Sequence, residues 1–153
     1  MDATLLALAG LRRLDMHDLV RQSYEVPAST MLPAVAQGAI GIQCREGDER
    51  MLAYLRHLNH ADTKTCVDCE RAFLRALDGN CRTPIAGQAS IVDGELRLKG
   101  FLSKADGSES VFVERSGSPQ DAVLVGEAAA LEVKQHLGPA KFKEYQMSFD
   151  EAI

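Results

Sequence analysis

Two Asp-Gly pairs, Asp93-Gly94 and Asp106-Gly107, cut the middle of this chain into three short strand-like runs. Asp-Gly readily adopts the left-handed backbone that a tight hairpin needs, so each pair joins neighbouring antiparallel strands. The runs are Ala89–Val92, Glu95–Ser103 and Ser110–Arg115. Leu96 and Leu98 alternate with Glu95, Arg97 and Lys99, which predicts a meander with one dry face and one wet face.

Helical patterns flank this meander. Upstream, Cys66, Cys69, Phe73 and Leu77 fall on one line at helical spacing, with Lys64, Asp68, Arg71 and Arg75 opposite. Asp62 is placed to cap that helix, Gly79 sits where a helix ends, and Asn80 tolerates a left-handed turn. Cys81 then falls in a short loop closed by Pro84. Downstream, Ser118-Pro119-Gln120-Asp121 is a helix start, with a capping serine and proline in the first helical position. That helix runs through Leu124, Ala128 and Leu131 to Gly138. Helix, three strands and helix make an α+β domain over 59–153.

The first 58 residues are not self-sufficient. Ala3–Ala9 is an unbroken apolar run, as in a strand buried on both faces of a parallel sheet. Gly38–Ile42 is a second candidate strand. Asp48–Leu58 is a candidate helix turning Met51, Leu52, Leu55 and Leu58 inward. So few elements cannot close an α/β domain, which implies that the chain begins inside a larger fold.

Composition narrows the function classes. With a net charge of −5 and 5% aromatics, and no basic run interleaved with aromatics, the chain does not resemble a nucleic-acid binder. No apolar run approaches the roughly 20 residues of a membrane helix. Met1–Thr4 lacks the basic start of a secretory signal. Four cysteines at this length suggest a reducing compartment, hence a soluble cytoplasmic protein.

Several residues are candidates for chemistry. Cys66 and Cys69, with His57 and His60 upstream, have the spacing of a redox pair or half a zinc site. Their place mid-helix on the apolar line favours core packing instead, and Cys44 is read in the same way. Cys81 stands apart, a thiol at a helix-to-loop junction. The negative end of the helix dipole would not activate it, so it suits a covalent tether better than a fast nucleophile; the bland alternative is a loop cysteine without a role. Arg12 and Arg13, placed after a strand and Gly10 at the start of a helix, are either carboxylate binders or a solvated face. Leu32–Ala39, a small-residue segment containing Gln37 and Gly38, is either a hinge or a close backbone approach to a ligand.

Taken in order, these segments resemble the hydroxymethylbilane synthase (porphobilinogen deaminase) family. The resemblance rests on Ala9-Gly10-Leu11-Arg12-Arg13-Leu14, Leu32-Pro33-Ala34-Val35-Ala36-Gln37-Gly38-Ala39-Ile40-Gly41 and Leu58-Asn59-His60. It continues through Glu70-Arg71, Gly79-Asn80-Cys81-Arg82-Thr83-Pro84-Ile85-Ala86 and Gly117-Ser118-Pro119-Gln120-Asp121-Ala122. It implies an α/β remnant of two incomplete periplasmic-binding-protein-like domains, followed by the α+β domain. Residues 1–36 would end domain 2, 37–58 would return to complete domain 1, and 59–153 would carry the cofactor.

The resemblance further implies a transferase of tetrapyrrole biosynthesis, leading to haem or chlorophyll. Such an enzyme joins four porphobilinogen molecules into hydroxymethylbilane with loss of ammonia. Cys81 would hold a dipyrromethane cofactor through a thioether. Arg13, Gln37, Gly38 and Gly10 would face the substrate and the growing polypyrrole. The full-length family member is monomeric, cytoplasmic or plastid-borne, with no metal and no nucleic-acid or membrane partner. Two positions depart from the family pattern: Ala36 replaces a glycine and Asn80 replaces a small residue. The catalytic aspartate belongs to a part that this chain lacks, so no catalytic residue is assigned here and the chain alone is expected to be inactive. The alternative is a non-catalytic α+β binding module derived from that enzyme.

Overall fold

The computed structural model describes residues 4–16, 24–79 and 83–150. The chain divides into two compact units, Met1–Met31 and Leu32–Ile153.

In the first unit, helix α1 spans Leu8–Arg13, entered from an extended Ala7 and left at Leu14. The buried strand expected over Ala3–Ala9 is not formed by its described residues. Residues 4–7 are in no strand, Leu8 and Ala9 open α1, and Leu5 and Leu6 are exposed. A strand exists only through hydrogen bonds to a neighbour, and the described part of this unit contains no other strand. Arg12 and Arg13 fall in the last turn of α1, not at a helix start.

The second unit opens with an extended segment and a turn. Gly38–Ile42, expected as a strand, is not one, and Ile40 is 90% exposed. Asp48 starts helix α2 (Glu49–Leu55), its Oδ1 accepting the Met51 N–H at 3.0 Å. The chain continues as a 3-10 turn over Arg56–Leu58. Leu52 and Leu55 are half-buried, whereas Met51 and Leu58 face outward.

Helix α3 spans Ala61–Ala76. Its cap is His60, whose Nδ1 accepts the Thr63 N–H at 3.2 Å; Asp62 lies in the first turn instead of capping it. At the other end Asp78 takes the left-handed position (φ 54°). The Gly79 N–H reaches the Leu74 carbonyl at 3.0 Å, and the Asp78 N–H reaches that of Arg75 at 3.0 Å. This is a Schellman end, one residue earlier than the glycine suggested. Gly79 also sits close against its neighbours' side-chain ends. A Cβ there would lie 2.5 Å from Ile85 Cδ1 and 2.6 Å from Leu74 Cδ1.

Strands β1 (Ile85–Val92), β2 (Glu95–Ser103) and β3 (Ser110–Gly117) form the expected antiparallel meander, in the order β1-β2-β3. The first hairpin turns at Asp93 (φ 53°) and Gly94 (φ 79°), with Val92 opposite Glu95. Ile85, Ala89, Leu96, Leu98, Leu102, Val111 and Val113 line the dry face. Arg97, Lys99 and Glu114 stand on the other, where Lys99 pairs with Glu114 at 3.3 Å.

After a 3-10 turn at Pro119–Asp121, helix α4 spans Ala122–Asp150 with a break at Gly138 (φ 73°), ahead of Pro139. The break lies where the sequence ends the first helix. Leu124, Ala128 and Leu131 are exposed, and the buried side is Ala122, Val125, Ala129, Ala130 and Val133. Small side chains let α4 approach α3 closely, and both helices pack on the dry face of the sheet. Phe73 fills the centre, its ring against Gly100, where a Cβ would lie 2.6 Å from Cζ.

Candidate functional site

Cys81 lies outside the described residues, as do Asn80 and Arg82. What is described is how tightly the chain is held on both sides of them. The Schellman bonds end α3 at Gly79. Thr83 is buried, and the Ile85 N–H donates to its carbonyl at 2.7 Å. From Pro84 the chain is already tied to β2, since the Ser103 N–H donates to the Pro84 carbonyl at 3.1 Å.

Gln37 and Gly38 form the exposed part of a turn. Ala36 is in the left-handed region (φ 58°), Gly38 follows at φ 82°, and the Ala39 N–H closes on the Ala36 carbonyl at 3.1 Å. The turn forms one wall of a cleft of about 390 Å³, with Asp62, Cys66, Glu70 and Gln88 among the opposite walls. It is docked along the outer edge of β1, where the Gly87 N–H donates to the Pro33 carbonyl at 3.0 Å and Val35 packs against the core. Arg13 and Gly10 belong to the first unit, both exposed on α1. The structure therefore brings Gln37 and Gly38 together in one turn and carries Arg13 and Gly10 on a separate helix.

The residue that sequence reasoning left without a role is Glu70. Its carboxylate is buried and fully used. Oε2 accepts the Ala36 N–H at 2.7 Å, and Oε1 accepts the Ala89 N–H at 2.7 Å. A signal was present: Glu70 lies four residues after Cys66 and three before Phe73, on the apolar side of α3, where an acid must find donors.

The remaining cysteines are now placed. Cys69 is in the core, and burial, then Glu70, then Cys66 push its thiol up to about 12, so it stays protonated and inert. Cys66 is half-buried at the cleft. Burial, then Glu70 and Asp62, raise its thiol against a hydrogen bond from the Ile91 backbone. Cys44, expected in the core, is exposed, because Gly38–Ile42 forms no strand to bury its end. Among the described residues no three His, Cys, Asp or Glu side chains gather as metal ligands, and His60 is committed to the α3 cap.

Two family models match the chain in order. Residues 1–53 match the porphobilinogen deaminase dipyromethane cofactor binding domain, and residues 64–135 match the porphobilinogen deaminase C-terminal domain. Among curated proteins, the chloroplastic porphobilinogen deaminase of Pisum sativum is 48% identical over 143 residues, covering 92% of this chain and 38% of the relative. That of Oryza sativa subsp. japonica is 49% identical over 147 residues, covering 94% of this chain and 40% of the relative. The chain thus spans about two-fifths of the length of these relatives, with no helix among the described residues long and apolar enough to cross a membrane. Two matched domains in the same order, together with this level of identity along nearly all of its length, show that the chain belongs to the porphobilinogen deaminase family.

Proposed function

We propose that this chain supplies the cofactor-tethering part of a hydroxymethylbilane synthase, which condenses four porphobilinogen molecules into hydroxymethylbilane and releases ammonia. The observation that carries the reading is the ordered pair of family models, with Cys81 inside the second and Arg13, Gln37 and Gly38 inside the first. In this reading residues 1–36 end a second periplasmic-binding-protein-like domain, 37–58 return to a first, and 59–153 form the α+β domain. The chloroplastic relatives support a plastid or cytoplasmic setting.

The donor set fits a dipyrromethane. One thiol, Cys81, is carried between a helix end and a strand that are each held by backbone hydrogen bonds, which suits a tether whose foot must not wander. When bound, the dipyrromethane supplies the pyrrole carbon on which the chain of pyrroles is built. Cys81 anchors it by a thioether at Sγ. Arg13 offers a planar guanidinium to acetate or propionate carboxylates, and the Gln37 amide and the Gly38 backbone offer uncharged hydrogen bonds. The cofactor-binding description attached to residues 1–53 and the placement of Cys81 in the second model are then complementary.

Intact-mass spectrometry after incubation with porphobilinogen tests the tether. A dipyrromethane-sized addition that disappears in Cys81→Ala is the expected result, and an addition retained by that variant would refute the assignment. Ammonia release by the chain alone is expected to stay at background, and sustained turnover would overturn that expectation. Absence of both adduct and turnover, even with the remaining portion of a family enzyme supplied, would favour the non-catalytic module.

A further inference from the structure

Strand β1 is one of the two edges of the sheet, because it pairs only with β2. Its outward N–H groups should therefore be open to solvent or to another strand. Each has instead been taken. Ile85 donates to the Thr83 carbonyl at 2.7 Å, Gly87 to the Pro33 carbonyl at 3.0 Å and Ala89 to Glu70 Oε1 at 2.7 Å, while the Ile91 backbone bonds to Cys66. Two of these partners, Glu70 and Cys66, lie one helical turn apart on α3, and a third, Pro33, lies in the segment leading to Gln37 and Gly38.

Glu70 does more than cover the edge. Its second oxygen takes the Ala36 N–H at 2.7 Å, so a single carboxylate bridges α3, β1 and the turn. Both partners are donors, and a carboxylate is the side-chain group that can accept at both of its ends. A glutamine would keep one acceptor and aim its NH2 at the other N–H. The bond to Ala36 falls at the left-handed residue that starts the turn, where an alanine is disfavoured unless its surroundings hold it.

We propose that Glu70 is a positioning residue, which sets the Gln37–Gly38 turn at a fixed place against the strand that follows the Cys81 loop. This rests on the proposed function only in treating Gln37 and Gly38 as substrate-facing; the bridge itself does not depend on it. A buried carboxylate accepting two backbone N–H groups is a rigid link, since each charge-assisted bond is short and costly to leave unmade.

Nuclear magnetic resonance of the uniformly labelled chain tests this directly. Scalar couplings across the hydrogen bonds, from the amide nitrogens of Ala36 and Ala89 to the Glu70 side-chain carboxyl carbon, are the expected signature. Absence of both, with the backbone resonances assigned, would overturn the proposal. In Glu70→Gln, hydrogen exchange at Ala36 or Ala89 is expected to quicken about tenfold or more while that at Leu98 and Val113 stays within about twofold. The Gln37 and Gly38 resonances should move as well. Unchanged exchange at Ala36 and Ala89 in a folded variant would equally overturn it. Should Glu70→Gln fail to fold, the couplings in the unaltered chain decide alone. Neither readout uses porphobilinogen, so failure here and failure of the Cys81 tether are separate results.

Discussion

Gly126 of α4 lies directly against the Cys69 carbonyl of α3. A Cβ at this position would overlap that oxygen and come within 2.9 Å of Ala72 Cβ and 3.0 Å of the Phe73 nitrogen. The obstacles are backbone atoms and a buried methyl, so no rotamer change relieves them. The two helices approach as closely as they do because position 126 carries no side chain.

Gly126→Ala is therefore expected to destabilise the Leu32–Ile153 unit by about 3 kcal/mol, even though alanine is the better helix former by about 1 kcal/mol. Urea unfolding followed by circular dichroism measures this. A variant as stable as the parent would show that α3 and α4 separate at little cost.

Ala36→Gly should act in the opposite direction. Ala36 holds φ 58° with a Cβ. Relief of the left-handed strain, roughly 1 kcal/mol, outweighs the extra freedom that glycine has in the unfolded chain, leaving a gain of about 0.5 kcal/mol. A lower urea midpoint for Ala36→Gly would contradict this account of the turn.

The far end of the sheet carries a charge cluster with a defined pH response. Glu109 pairs with Lys104 at 2.6 Å and with Lys141 at 2.5 Å, linking the β2–β3 connection to the second half of α4. The hydrogen bond from Lys104, then that from Lys141, lowers the Glu109 carboxyl, and Glu109 in turn raises both lysines. A lowered carboxyl contributes stability that is present above its ordinary value of 4.5 and is lost as pH falls through the folded value. The raised lysines contribute below their ordinary 10.5 and lose that as pH rises further. Thermal melts of Glu109→Gln should show a smaller drop in Tm on acidification below 4.5 and on alkalisation above 10.5 than the parent. Parallel pH profiles would mean that these exposed pairs contribute nothing.

The α+β unit was largely legible in the sequence because its signals are local. Alternation along Glu95–Ser103, Asp-Gly at both turns, the apolar line from Cys69 to Leu77 and the Gly138-Pro139 break each act within a few residues. The errors concern what one element does to another. Leu124 and Leu131 of α4 are exposed because close approach to α3 selects the face carrying Gly126, Ala129 and Ala130. His60 caps α3 in place of Asp62, and Asp78 takes the left-handed position that Gly79 suggested; both shifts are a residue or two within valid capping chemistry.

By itself the sequence determined the meander, its two flanking helices and the family, because periodicity, turn chemistry and motif order are all written along the chain. Only the tertiary structure decided that Glu70 joins α3, β1 and the Gln37–Gly38 turn, and that Ala3–Ala9 and Gly38–Ile42 form no strand among their described residues. A carboxylate's partners and a strand's neighbours lie far away in sequence. Hydrogen bonds across 34 and 19 residues, such as those of Glu70 to Ala36 and Ala89, leave no local periodicity to read.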